Sequence, residues 1–372
     1  MFDQYYHYSV GQKRTTDRLQ AILWANEKNE WIHFHVPKWL KDLPIHIEPE
    51  MSMRDLCVNR ARNIRESNNY IRLWFSGGCD STYMLNTFID NGIHVDEIFC
   101  NKFGIPEADW EIDKVAVPYL NSISEKIKKT KITIKEPNIS DYQQFYKDEY
   151  WFEKYINNGR NSKQFTGIRP EFWETINLHD VKKGTINVIG SDKPFIHYVK
   201  GEWFHFTLDM NVNQQTDTDY TSHCAFYNGD PLIFTKQCHM LKRGIMARLD
   251  PKDYNKVCLY SEKKYQHVFN ESIGRIGAGK QFILKDLAPT NMKFIGINRK
   301  ESIGKEYIHD NFPDVWKKYV NGLNNLNDAQ NGRWFTNKNS ELGPIGIFAD
   351  FKSLDRNITK TVDDLYPNGF KV

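Results

Sequence analysis

Two hydrophobic periods organise the chain between residues 51 and 208. Short runs rich in β-branched and aromatic residues predict strands at Tyr70–Phe75, Val95–Cys100, Lys131–Lys135 and Thr185–Gly190. Helical spacing lies between them. Ser52 can cap a helix running to about Ser67 with Leu56, Ala61 and Ile64 on its inner side. Asp80 to Ile89 is a second helix, stopped by Asn91-Gly92, and Glu107 to Lys128 a long amphipathic third. Tyr142 to Ile156 is a further helix with many aromatics. Strand and helix alternate as a parallel sheet requires, so the expected fold class is α/β with a doubly wound sheet.

The flanks follow other patterns. Residues 1–50 mix strand-like pieces such as Trp31–Val36 with one helical stretch from Thr15 to Asn26, and form a short N-terminal extension. Phe195–Val199 and Trp203–Leu208 predict a hairpin around Lys200-Gly201. From Asp209 the alternation is lost, and residues 209–372 are expected to form a mixed, mainly helical region that packs beside the sheet and shapes a substrate pocket.

Composition narrows the class without naming a function. The chain has 372 residues, 40% hydrophobic and 26% charged, in the range of soluble globular proteins. A net charge of +3 does not point to nucleic acid as a partner, and the densest basic run, Lys126 to Lys131, falls where a helix end favours lysine. Six scattered cysteines without a CxxC pair predict free thiols in a reducing compartment. Residues Met1 to Tyr6 lack the features of a signal peptide and no apolar run is long enough to span a bilayer, so a cytoplasmic location without membrane contact is expected.

Chemistry concentrates in Ser76-Gly77-Gly78-Cys79-Asp80-Ser81, between a predicted strand and a predicted helix. Two glycines let the backbone turn tightly and bring N–H groups close to a ligand. The helix that follows adds its own N–H groups and the positive end of its dipole, and Ser76 and Ser81 add hydroxyls. The result is a socket for polyphosphate oxygens. Asp80 would repel phosphate unless it caps the helix or holds Mg²⁺ that the phosphates share. The plainer reading is a strand-to-helix turn with a good cap.

This string resembles the PP-loop of the N-type ATP pyrophosphatases, the adenine nucleotide α-hydrolase-like superfamily. The wider layout, including Gly190 to Pro194 and Lys236-Gln237-Cys238-His239, looks like phage-type members described as phosphoadenosine phosphosulfate reductase-like or asparagine synthase-like. The resemblance implies a HUP-type, Rossmann-like domain over about residues 51–208 with ATP and Mg²⁺ as cofactors. It also implies AMP-forming chemistry: a substrate oxygen is adenylated, then a nitrogen nucleophile displaces AMP. Ser76 to Ser81 would grip the pyrophosphate, Asp80 would place the metal, and the adenine would lie near Asn101. Across the cleft, Gly190, Asp192 and Lys193 would meet ATP or substrate, Lys193 neutralising the leaving group and Asp192 binding a second metal or orienting a nucleophile. Ser191-Asp192-Lys193-Pro194 is equally good turn chemistry.

Several relatives fit poorly. Phe2 follows Met1 where glutamine-dependent synthetases carry a catalytic cysteine, and Cys258 is far from the C-terminal position of the reductases. No cysteines cluster as in metal-bearing thiolating members. A small-molecule or nucleotide substrate is the first expectation. A sulfur-handling enzyme and a non-catalytic nucleotide-binding subunit are the alternatives.

Other motifs count for less. Gly274 to Lys280 imitates a P-loop but is followed by Gln281 instead of a hydroxyl residue, although Lys280 could reach the first site from a lid. The pairs His223-Cys224 and Cys238-His239 suggest zinc, yet adjacent residues rarely share one tetrahedral ion, and His239 fits a pocket or helix position. His33 and His35 read as surface imidazoles on one strand face. Arg54, Arg62 and Arg65 share a helix face where salt bridges are expected.

Overall fold

The computed structural model describes residues 3, 6–16, 18–102, 106–136, 183–190, 194–209, 221–247, 249–256, 313, 334–336 and 344–368. The predicted helix at Tyr142 to Ile156, Asp192, Lys193, Cys258 and the Gly274–Lys280 motif lie outside them.

The N-terminal part begins with β1 (His7–Val10), β2 (Lys13–Thr15), α1 (Arg18–Lys28) and β3 (Ile32–His35). Its strands form an antiparallel sheet in the order β2-β1-β3. Tyr8, Val10, Ile32 and Phe34 are buried, as alternation in a half-covered sheet demands. Two helices follow, α2 (Lys38–Asp42) and α3 (Met53–Ser67). Ser52 caps α3 by accepting the Asp55 N–H at 3.1 Å, and Leu56, Ala61 and Ile64 are buried as expected.

The centre of the molecule is a five-stranded, wholly parallel sheet. Its strands are β4 (Tyr70–Trp74), β5 (Glu97–Asn101), β6 (Lys131–Lys135), β7 (Thr185–Ile189) and β10 (Thr221–Ala225), in the spatial order β10-β7-β4-β5-β6. The chain starts in the middle at β4, steps outward through β5 to β6, and then crosses to β7 and β10 on the other side. This is the strand order of a Rossmann-like sheet, and it reverses between β4 and β7.

Helix α4 (Cys79–Ile89) joins β4 to β5. The predicted long helix after β5 is instead four pieces: α5 (Pro106–Glu111), a π turn (Ile112–Ala116), α6 (Val117–Ser122) and a 3₁₀ turn (Ser124–Ile127). Pro118 explains the break. It has no N–H for the carbonyl one turn back and its ring crowds that carbonyl, so the preceding turn widens and Val117 N–H reaches Ile112 O.

One face of the sheet is apolar. Ile71, Leu73, Phe75, Ile98, Cys100, Val188 and Cys224 join a core with Met84, Leu85 and Phe88 of α4 and Leu56, Cys57 and Ala61 of α3. The same core includes Ile233, Cys238 and Leu241 of α7 (Pro231–Met246). The opposite face carries a buried ion pair, Arg72 Nε to Glu97 Oε2 at 2.9 Å, with Tyr70 and Thr133 also donating to Glu97.

The predicted hairpin is present as β8 (Phe195–Val199) and β9 (Glu202–Phe206), with Lys200 at φ +51° and Gly201 at φ +84° as its two-residue turn requires. It joins β13 (Phe351–Ser353) and β14 (Thr359–Lys360) in the order β14-β13-β9-β8. A two-stranded sheet of β11 (Trp334–Thr336) and β12 (Pro344–Ile347) and the short helix α8 (Val362–Leu365) complete the described chain. Among the described residues beyond Asp209, five short strands accompany α7 and α8, and β10 belongs to the central sheet although it lies past Leu208. Polar Thr221, Ser222 and His223 hide that strand from a hydrophobic pattern. Among the described residues no helix is long and apolar enough to cross a membrane.

Candidate functional site at the reversal of strand order

The glycine loop sits where β4 ends and α4 begins, beside β7, so it occupies the point at which the strand order reverses. In open parallel sheets the crevice at that point, beyond the carboxyl ends of the strands, is where ligands bind. Phe75 extends the sheet by one hydrogen bond, its N–H donating to Phe99 O at 2.9 Å. The chain then turns sharply. Gly77 has φ +74°, and a β-carbon there would lie 2.9 Å from Ala116 N and 3.1 Å from Ala116 Cα. Only glycine fits both the dihedral and the close approach of the π turn.

The loop is braced from within. Gly78 N–H donates to Ser76 Oγ at 3.3 Å, Ser81 Oγ donates to Gly78 O at 3.1 Å, and the two hydroxyl oxygens are 3.2 Å apart. Ser81 is buried and its hydroxyl works inside the loop, whereas Ser76 is exposed. Gly78 is the N-cap of α4 and has no side chain to cover the first-turn N–H groups. Cys79 opens the helix. Asp80 is one residue further in, so it is not the cap.

Three strand ends meet at Asp80. A β-carbon on Gly190, directly after β7, would lie 3.3 Å from Asp80 C and O. Tyr227, fully buried in the turn after β10, donates its hydroxyl to Asp80 O at 2.8 Å. The predicted residues Ser76, Gly77, Gly78, Cys79, Asp80, Ser81 and Gly190 are therefore brought together. Tyr227 and Ala116 had no sequence signal, because each reaches the loop across a long stretch of chain.

Asn101, the last residue of β5, is half-buried and pairs with Lys135 of β6. The next residue, Lys102, bonds Asp113 at 2.8 Å and Glu136 at 3.3 Å, and the Asp113 bond raises its pKa. Beside it, burial pushes the Cys100 thiol up to about 12. Cys224 and Cys238 are also raised by burial, so all three stay protonated at neutral pH.

No protein-family model matches the sequence, and no curated protein is significantly similar to it.

Several of the other candidates have structural partners. Arg60 Nη2 donates to Cys224 Sγ at 2.9 Å, and His239 Nε2 lies 2.8 Å from Ile45 O. Lys236 bonds Pro49 O and Glu48, so the Lys236–His239 string clamps the segment before α3 onto α7. Arg65 pairs with Asp96 at 2.6 Å. His35 differs from a surface imidazole: it stacks on His7 with ring centroids 4.7 Å apart and meets Ser9 Oγ at 2.7 Å. Among the described residues no three His, Cys, Asp or Glu side chains form a metal-binding group.

Proposed function

We propose that this chain is an ATP-binding enzyme of the PP-loop, HUP-type class that cleaves ATP to AMP and pyrophosphate. The observation that carries the reading is the convergence of β4, β7 and β10 on Asp80, with a glycine-capped helix start at the reversal of the sheet.

The socket suits polyphosphate because Gly77 and Gly190 hold positions where a β-carbon would crowd the loop, and because α4 presents its positive end there. A bound polyphosphate would take its hydrogen bonds from the first-turn backbone N–H groups of residues 79–81 and from the exposed Ser76 hydroxyl. Mg²⁺ typically uses one or two carboxylates plus substrate phosphates, and Asp80 in the first turn is the carboxylate this loop provides. The approach of Gly190 to Asp80 supports assigning the turn that follows it, with Asp192 and Lys193, to the opposite wall.

In the proposed reaction a substrate oxygen attacks the α-phosphorus, the α–β bridging bond breaks, and pyrophosphate carries away the electron pair. A nitrogen nucleophile then displaces AMP. The protein contributes orientation and fixed dipoles, with no general base needed in the first step. Burial holds Cys100, Cys224 and Cys238 as thiols, which makes these three poor sulfur carriers. The substrate class is a small molecule or a modified nucleotide.

Product analysis tests this directly. Incubation with Mg·ATP and a panel of acids, amides and nucleosides should release AMP and pyrophosphate, and Asp80→Ala should abolish that release. ADP and phosphate as products, or full activity in Asp80→Ala, would overturn the reading.

A further inference from the structure

The side of the central sheet opposite the apolar core sets buried, paired polar groups next to a half-buried tryptophan. Registered residues of parallel strands share a face. One row across the sheet is Asn187, Arg72, Glu97 and Lys131, on β7, β4, β5 and β6. Asn187, Arg72 and Glu97 are at most 6% exposed, while Lys131 on the edge strand is exposed. The next row toward the carboxyl ends is Ala225, Ile189, Trp74, Phe99 and Thr133. Here Phe99 is buried, Ala225, Ile189 and Trp74 are only half-buried, and Thr133 is a half-buried polar residue that donates to Glu97. Paired polar groups are thus buried while the middle of the next row, an apolar band around Trp74, stays part-open beside the glycine loop.

Trp74 is the centre of that band and is held rigidly. Its indole N–H donates to Asn187 Oδ1 at 2.9 Å, and its ring meets Phe99 with centroids 4.5 Å apart at 52°. The Arg72 guanidinium lies over the other ring of the pair, 5.1 Å from the Phe99 centroid. Trp74 is also two residues before Ser76, so the band runs directly into the glycine loop, about 6.6 Å along the strand.

We infer that Trp74 and its row form the floor on which the planar base of the nucleotide stacks while the loop holds its phosphates. The inference rests on the polyphosphate role of the loop and adds the specificity that role lacks. Phosphate contacts to backbone N–H groups are blind to the base, whereas a fixed indole face gains stacking energy only from a flat aromatic ligand.

Calorimetric titration of ATP and of inorganic tripolyphosphate, which has no base, separates the two claims. Trp74→Ala should weaken ATP binding about 5- to 150-fold and leave tripolyphosphate affinity unchanged, with Trp74→Phe retaining most of the ATP affinity. Unchanged tripolyphosphate binding also shows that the variant is folded. If Trp74→Ala weakens neither ligand, or both equally, the base floor is overturned and the loop reading stands. If wild type binds neither ligand, the loop reading fails and the floor falls with it.

Discussion

Two strand-to-helix junctions at the same edge of the central sheet invite comparison, β4 into α4 and β10 into α7. Both turn through glycine because the backbone approaches another group closely. At the second junction the turn is closed. A β-carbon on Gly229 would lie 2.4 Å from Ala225 O, whose carbonyl accepts the Gly229 N–H at 3.1 Å. Asp230 then caps α7 by accepting the N–H groups of Leu232 and Ile233 at 3.0 Å each, and Pro231 follows at a position that needs no N–H. At the first junction glycine itself is the cap, and the nearest carboxylate, Asp80, sits inside the helix. One junction covers its helix start with a side-chain cap and contributes stability. The other has no side-chain cap, is braced by Ser76 and Ser81, and is steadied from outside by Tyr227, Ala116 and Gly190.

The contrast breaks most severely at Gly77. Gly77→Ala combines a left-handed φ with a clash against the Ala116 backbone. It should cost about 1–2 kcal/mol of stability in urea denaturation, and the displaced loop should weaken ATP binding at least about tenfold.

Acid probes the surroundings of α7. His205 is fully buried, packs edge-on to Phe234 of α7 and has its pKa pushed down to about 3 by burial; His239, within α7, is also lowered by burial. Between pH 6.5 and about 3 the unfolded chain therefore binds more protons than the folded one, so stability should fall as pH falls through that window. His35, lowered to about 4 by burial and by His7, adds to the same slope above pH 4. Melting temperature against pH measures it, and His205→Gln should flatten it. A melting temperature independent of pH between 6.5 and 4 would contradict the buried histidines.

The mildest change is at the closed junction. Asp230→Ala should cost about 1 kcal/mol through the lost cap, read as a lower denaturation midpoint with an unchanged slope. ATP affinity should stay where it was. A large loss of affinity would mean that the two junctions are not functionally distinct.

The first junction was legible in the sequence because strand, glycines and helix follow one another within twenty residues and each has its own periodicity. The second was not. Thr221, Ser222 and His223 make β10 look like loop, and Tyr227 meets Asp80 across 147 positions, beyond any local pattern. The π turn was readable in principle from Pro118, but helical spacing on either side of it masked the break. Strands β11 to β14 are two to four residues long, too short for alternation to declare them. Ser81 was recognised as a loop residue, yet its role as an internal brace depends on a turn geometry that residue types alone do not specify.

Polyphosphate binding by the first-turn backbone of residues 79–81 is the central proposal, and amide hydrogen exchange with and without Mg·ATP tests it most directly. The account predicts slowed exchange in a peptide spanning Gly77 to Thr82 and no change in one spanning Asn228 to Ile233. Protection of the second junction alone, or of neither, would contradict it.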